Sequence, residues 1–299
     1  MKKFLVLGVF FSVCFILGCS YGGPCIHGYG PVTNQLRELA EFTAVSNTGD
    51  FEVRVSLSDT FSVEVQAQEN LISSIETYVS GSTLIVKTTN NTCISSAVPV
   101  LVYVSMPYIE EIRNTGSGKL SADKAVVGEF ECANSGSGII SIDSVFASVV
   151  SLKNSGSGKL YLGESFPDEI EMIQTGSGIL DAGFINIPLE VNVNHTSSGR
   201  IYASVLDGLD VEAKLTGSGL IILDGVAETA DLTLSSSGKI DALDMLTKEA
   251  KTLISGSGKI FVHATDYLDI TITGSGNLYY RGNPLITTRI TGSGNVRPY

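Results

Sequence analysis

The feature that most restricts this chain is a four-residue beat. TGSG stands at 115–118, SGSG at 135–138 and 155–158, TGSG at 175–178, TSSG at 196–199 and TGSG at 216–219. SSSG at 235–238, SGSG at 255–258 and TGSG at 273–276 and 291–294 complete ten copies, whose last glycines lie 18 to 21 residues apart. After each of the first nine final glycines the apolar residues alternate, as in Leu120/Ala122, Ile140/Ile142, Leu160/Leu162 and Ile260/Val262. A second alternating run precedes most copies, for example Phe130/Cys132, Val150/Leu152 and Leu268/Ile270/Ile272. Period two over four or five residues predicts a strand with one buried face. Each repeat therefore supplies at least two short strands and a glycine corner. A unit this small cannot bury its own apolar face, but stacked copies form one continuous core. The expectation is an all-β parallel solenoid. Glycine suits the corner because it tolerates positive φ and lets stacked turns approach closely.

The same beat looks like a phosphate-binding loop where lysine follows, as in NTGSGKLSAD. Such a loop needs a glycine five positions before its Gly-Lys pair and a hydroxyl after it. Here Arg113 and Leu120 hold those places, and Lys153 and Leu160 hold them in the second near-copy. Neither nucleotide nor any cofactor is implied.

The position just before each corner reads Asn114, Asn134, Asn154, Gln174 and His195, then Leu215, Leu234, Ile254, Ile272 and Ile290. By parity it faces inward. The first half of the stack is thus expected to carry a polar internal seam, in which amides about 4.8 Å apart bond one another as a ladder, and the second half an aliphatic one. A ligand-reading amide row is the alternative.

Residues 1–18 read as an export signal: Lys2 and Lys3, an apolar run from Phe4 to Leu17, then Ile-Leu-Gly-Cys. The junction resembles the lipobox of bacterial lipoproteins, which makes Cys19 the lipidated first residue of the mature chain and the membrane its partner. An ordinary signal or an uncleaved anchor is the alternative. Residues 19–40, rich in Gly and Pro, read as a tether. Residues 41–107 read as irregular first coils, with a loop from Asn90 to Ala97. Residues 108–299 form the repeat array. The full chain has a formal charge of −12, and losing residues 1–18 leaves 17 bases against 31 acids, or −14. That charge disfavours nucleic acid. Of the three cysteines beyond Cys19, Cys132 shares strand parity with Phe130 and is expected to be a buried thiol, while Cys25 and Cys93 can bridge in an oxidising envelope.

With RELAEFTAVSNTGDFEVRVS, SGSTLIVKT and LVYVSMPYIEEIRNTGSGKL leading into the corners, residues 36–299 resemble the putative auto-transporter adhesin, head GIN domain family, common as lipoproteins in Bacteroidetes. The resemblance implies a right-handed parallel β-helix (β-solenoid) and a cell-envelope adhesin, as an outer-membrane lipoprotein. It brings no catalytic motif.

The residues agree with that last point. Parallel β-helices that cleave polysaccharides build their sites on long loops, with paired carboxylates or a metal, and steps of 18 to 21 leave no room for a large insertion. His27, His195 and His263 do not cluster, and no metal spacing occurs. Asp123 and Asp143 either stack as a cation site or bond their own turns. A binding face is the better reading. Three residues after the glycine, Tyr161, Tyr202, Phe261 and Tyr279 point outward, and one residue after it stand Lys159, Arg200 and Lys259. Aromatics and cations on a flat ladder suit a glycan or a surface protein. A structural or self-associating scaffold, whose face is ordinary strand surface, is the alternative reading, and an enzyme a more distant one.

Overall fold

The computed structural model describes residues 25–299, so Cys19 and the signal segment lie outside the described residues. From Glu111 onward the chain winds through parallel coils whose register advances by one sequence repeat: Leu120 pairs with Ile140, Ile140 with Leu160, and Leu160 with Leu180. The result is a β-solenoid of about 9 turns, against the ten coils expected from ten corners.

Each coil has two alternating runs joined at the glycine corner. In the coil around the first corner, Glu111–Asn114 leads in, Lys119–Val126 leads out, and Glu129–Asn134 begins the next layer. Leu120 and Ala122 point into the core, but so does Ala125. That change of parity bends the coil at 123–124, and a second bend at 127–128 returns the chain to the first side. The cross-section therefore has three sides: the run before the corner, the run after it, and a short third edge.

The core is a file of aliphatic side chains from Val45 to Leu278, with Phe42, Phe51 and Phe130 fully buried only near its start. Each fully buried Val, Ile or Leu contributes roughly 1.5–3 kcal/mol. The parallel strands pair along both edges, so the backbone groups are satisfied between coils.

The corner glycines do not have positive φ. Close approach alone requires them. A Cβ at Gly116, Gly136, Gly156 or Gly178 would lie about 2 Å from a backbone oxygen of the coil beneath. Where serine replaces the first glycine at 236, its hydroxyl donates to the Gly217 carbonyl one coil below.

The N-terminal part departs from the expected tether followed by irregular coils in order. Ala44–Asn47 and Glu52–Leu57 form a regular coil around a corner at Thr48–Phe51, and this coil lies between two others. On one side it pairs with Glu111–Asn114 and Lys119–Val126, on the other with Thr83–Thr88 and Leu101–Met106. Beyond that outer layer the strands turn antiparallel: Ser62–Gln68 on Leu101–Met106, Ile75–Ser80 on Thr83–Thr88, and Val32–Arg37 on Ser62–Gln68. These strands close the core end. Residues 25–40 are therefore not a free leader. Val32–Arg37 is part of the sheet, and Ile26–His27 pairs with Ile94–Ser95 beside the Cys25–Cys93 disulfide.

Candidate binding faces

The outward residues of the run after the corner form two columns that the register aligns without a gap. Tyr161 pairs with Asp181, Asp181 with Tyr202, Tyr202 with Ile222, Ile222 with Asp241, Asp241 with Phe261 and Phe261 with Tyr279. Beside it run Lys159, Ile179, Arg200, Leu220, Lys239 and Lys259. The four aromatic residues are half-buried, while Lys159, Arg200 and Lys259 are exposed. The register sets each of these aromatic residues between side chains of the coils above and below.

The column is not uniform. Tyr161 and Tyr202 are separated from each other and from Phe261 by carboxylate or aliphatic rungs. Phe261 and Tyr279 are adjacent, with rings stacked at 4.8 Å and 13°. Tyr299 meets Phe261 edge-on at 6.0 Å, and Lys239 Nζ sits 4.6 Å from the Phe261 ring centre. Lys239 is held there by Asp241 Oδ2 at 2.6 Å, and Arg281 lies 5.6 Å from the Tyr299 ring centre. The last three coils thus gather rings and cations that the earlier coils space apart. Sequence parity puts Lys239 in the column beside the rings but missed Arg281 and Tyr299 as companions of this cluster. The alternation after the glycine was the available signal for Lys239, which occupies the same offset as Lys259.

The internal seam has a different geometry from the expected ladder. Asn114 Nδ2 reaches Asn134 Oδ1 at 3.5 Å, but the recurrent bond closes each amide's own corner. The Nδ2 of Asn114, Asn134 and Asn154 donates to the carbonyl of the glycine four residues on, at 3.3, 3.1 and 3.2 Å. Asn47 does the same to Phe51 O at 3.2 Å and extends the seam by one residue. His195 ends it, with Nε2 2.8 Å from Gly199 O and Nδ1 3.0 Å from Gln174 O. These amides cap turns from inside the core and face no ligand space.

Asp123 likewise serves its own turn, accepting from the backbone N–H of Lys124 at 2.7 Å and of Leu57 at 3.3 Å. Among the described residues no three or more His, Cys, Asp or Glu side chains converge on one point suited to a metal ion. His263 stands on the surface of the last coils, where partial burial and then the nearby Arg281 guanidinium hold its pKa below the usual histidine value. Burial pushes the Cys132 thiol far up, helped by Glu131 and Glu111, so this sulfur is no nucleophile. A concavity of about 550 Å³ lies over the run before the corner, lined among others by Glu110, Glu111, Glu129 and Glu131.

A family model described as "Putative auto-transporter adhesin, head GIN domain" matches residues 41–189 and 185–284. The chain belongs to this family. The family is described as one of putative adhesins, and adhesins work at the cell envelope or surface. Among solved structures, a putative adhesin from Parabacteroides merdae is 20% identical with a TM-score of 0.56, the alignment covering 93% of this chain and all of the other. A protein from Parabacteroides distasonis, titled a putative lipid binding protein, is 24% identical with a TM-score of 0.51 over 92% of this chain and all of its own. A putative adhesin from the same species is 20% identical, also with a TM-score of 0.51 and the same coverage. At these identities the likeness is one of fold. No curated protein matches the chain. Among the described residues no helix is long and apolar enough to cross a membrane.

Proposed function

We propose that this head GIN protein is a lipid-anchored envelope adhesin, held by Cys19 in the outer membrane, that grips an extended glycan or surface polypeptide along the face after the corner. The observation that carries the reading is the Phe261–Tyr279 stack with Lys239 over its ring. Stacked rings present a flat apolar strip to a sugar or peptide plane, and an adjacent ammonium adds attraction for acidic groups. At about 4.8 Å per coil, Tyr202 and Tyr279 are roughly 20 Å apart, a span that suits a chain rather than a small molecule. The test is a glycan array probed with the soluble chain from residue 20, against the variant Tyr202→Ser/Phe261→Ser/Tyr279→Ser. Lost binding with an unchanged circular dichroism spectrum supports the face, and unchanged binding moves it elsewhere. The anchor has its own test, because Cys19→Ala must abolish uptake of labelled fatty acid.

The last coil favours a second reading, a self-associating scaffold. Among the described residues Leu285–Ile290 and Asn295–Pro298 each pair on one side only, which leaves two strand edges open among them. Light scattering on the same soluble chain would then show a mass that grows with concentration, with no glycan bound.

A further inference from the structure

The third edge carries a surface that the core does not need. Across four successive coils, at 163–169, 183–190, 204–210 and 224–229, large apolar side chains stand in solvent: Phe166, Phe184, Ile187, Leu189, Leu206 and Leu209. Their inward neighbours Ile185 and Val205 are fully buried, so the core is complete without them. Val226 and Leu246 continue the line toward the C-terminal end, and the stacked pair Phe146–Phe166, with centroids 4.6 Å apart, extends it the other way. From Phe146 to Leu246 the ridge rises five coils, about 24 Å. Asn186 interrupts the line below Leu206, with Phe184, Ile187 and Leu189 around it, and exposed apolar surface on this scale marks an interaction site rather than scattered exposure.

Two further observations point to a ligand. Ile187 has φ 50° and Asp207 has φ 60°. A β-branched residue in the left-handed region costs about 1–2 kcal/mol that glycine or asparagine would not. The turn is clamped in this state by the Ile187 N–H to Leu206 O bond at 2.8 Å. What the strain achieves is to hold the Ile187 side chain outward, 71% exposed. The exposed side chain adds no core contact, whereas a partner would cover it. The second observation is charge. The same four segments contain Glu164, Asp168, Glu190, Asp207, Asp210 and Glu228 among their carboxylates and no lysine or arginine. Two cations flank the line at its ends: Lys248 is engaged by Glu228 at 2.7 Å, and Lys124 sits 4.6 Å from the Phe146 ring centre.

We propose that this apolar, acid-flanked ridge is the docking surface for a basic amphipathic segment of a partner protein. Apolar side chains would cover the ridge and Lys or Arg would pair with the carboxylates on its flanks. At 1.5 Å per residue, a helix of about 16 residues matches the 24 Å line. An anionic membrane surface would be repelled by those carboxylates, and a second copy pairing ridge to ridge would bring like charges together. The face is distinct from the Phe261–Tyr279 column, so either can fail alone.

The test is fluorescence anisotropy of a labelled 16-residue leucine–lysine amphipathic peptide titrated with the soluble chain from residue 20, which retains every described strand. The expected result is saturable binding that weakens with salt, at least tenfold weaker for Leu189→Ser/Leu206→Ser/Leu209→Ser at unchanged melting temperature. Glu164→Gln/Asp207→Asn, which keeps a residue tolerant of positive φ at 207, should also weaken binding and flatten its salt dependence. Equal binding of a leucine–glutamate peptide, or undiminished binding by the leucine variant, overturns the proposal. So does a fall in melting temperature of that variant, which would make these side chains core. Capture of the wild type by phosphatidylglycerol vesicles without peptide binding assigns the ridge to a membrane. A concentration-dependent dimer lost in the leucine variant assigns it to self-association.

Discussion

Gly178→Ala adds a single methyl group, and the structure sets where it lands. The new Cβ would lie 2.0 Å from Gly158 O, 2.8 Å from Asn154 Nδ2 and 3.0 Å from Ser157 C. An ordinary carbon–oxygen contact is over 3 Å, so the two coils must part by about 1 Å at this corner. That separation breaks the bonds from Gly178 N to Gly156 O at 3.3 Å and from Ile179 N to Gly158 O at 3.1 Å. It also disturbs the buried Asn154 amide, which donates to Gly158 O at 3.2 Å and Ile179 O at 3.0 Å. Two lost ladder bonds at about 1 kcal/mol each, with one amide left short of a partner at about 1–3 kcal/mol, give a loss of about 3–5 kcal/mol. Gly128→Ala is the control: a Cβ there meets nothing within 4 Å and φ is not positive. It should be neutral, or stabilising by about 0.4–1 kcal/mol through the unfolded chain. Urea unfolding followed by circular dichroism reads both, and amide exchange localises the damage, since a solenoid opens coil by coil. If Gly178→Ala unfolds within 0.5 kcal/mol of wild type, or the two variants lose stability equally, close approach is not what glycine supplies at the corner.

Reducing the Cys25–Cys93 disulfide, which spans 68 residues, should cost about 4 kcal/mol on loop-closure grounds, with exchange increasing at Val32–Arg37 and Ser62–Gln68 before the corner coils respond. Cys132 should resist a thiol reagent until global unfolding, so labelling of the native chain on the timescale of seconds would contradict its burial. The lowered pKa of His263 means that the unfolded chain binds its proton more tightly. Stability is therefore full above the unfolded value near 6.5 and is lost as pH falls from there through the lower folded value. His263→Gln should flatten the stability profile between about pH 5 and 7, and an unchanged slope would show that the residue is not perturbed.

The stacked coils were legible because period-two burial and a recurring corner are both local signals. Leu120, Ile140 and Leu160 fall where counting from the glycine puts them. The count fails at Asp123, where the chain bends and inward parity passes to Ala125, so the third edge with Phe184, Ile187 and Leu206 could not be read from alternation. The Asn47 corner was legible in principle: Asn-Thr-Gly-Asp at 47–50 differs from the first repeat's Asn-Thr-Gly-Ser at one position. Its place between later segments was not, since nothing local states which coil a strand will join. Val32–Arg37 was hidden for another reason. It lies at a sheet edge with no buried residue, so its hydropathy carries no period, and the neighbouring Gly and Pro dominate the reading. Of the outward column, offsets placed the aromatic residues on one side, but the clustering of Phe261, Tyr279 and Tyr299 depends on which rungs touch.

The coil at 44–57 acts as a keystone, and this bears on the order in which the molecule can assemble. It leaves whatever delivers the chain before both its neighbours, Thr83–Thr88 with Leu101–Met106 on one side and the Asn114 corner on the other. Every subsequent coil lies against one made about 20 residues earlier, a short loop to close. Seating the Asn114 coil on Ala44–Asn47 closes a loop roughly three times longer, at an extra entropic cost of about 1 kcal/mol. The glycine-cornered array can therefore zip forward by itself, while the join to the keystone is the slow, long-range step. Until it is made, the early coil's edges stay open to any other strand, and an export chaperone would find its purchase there.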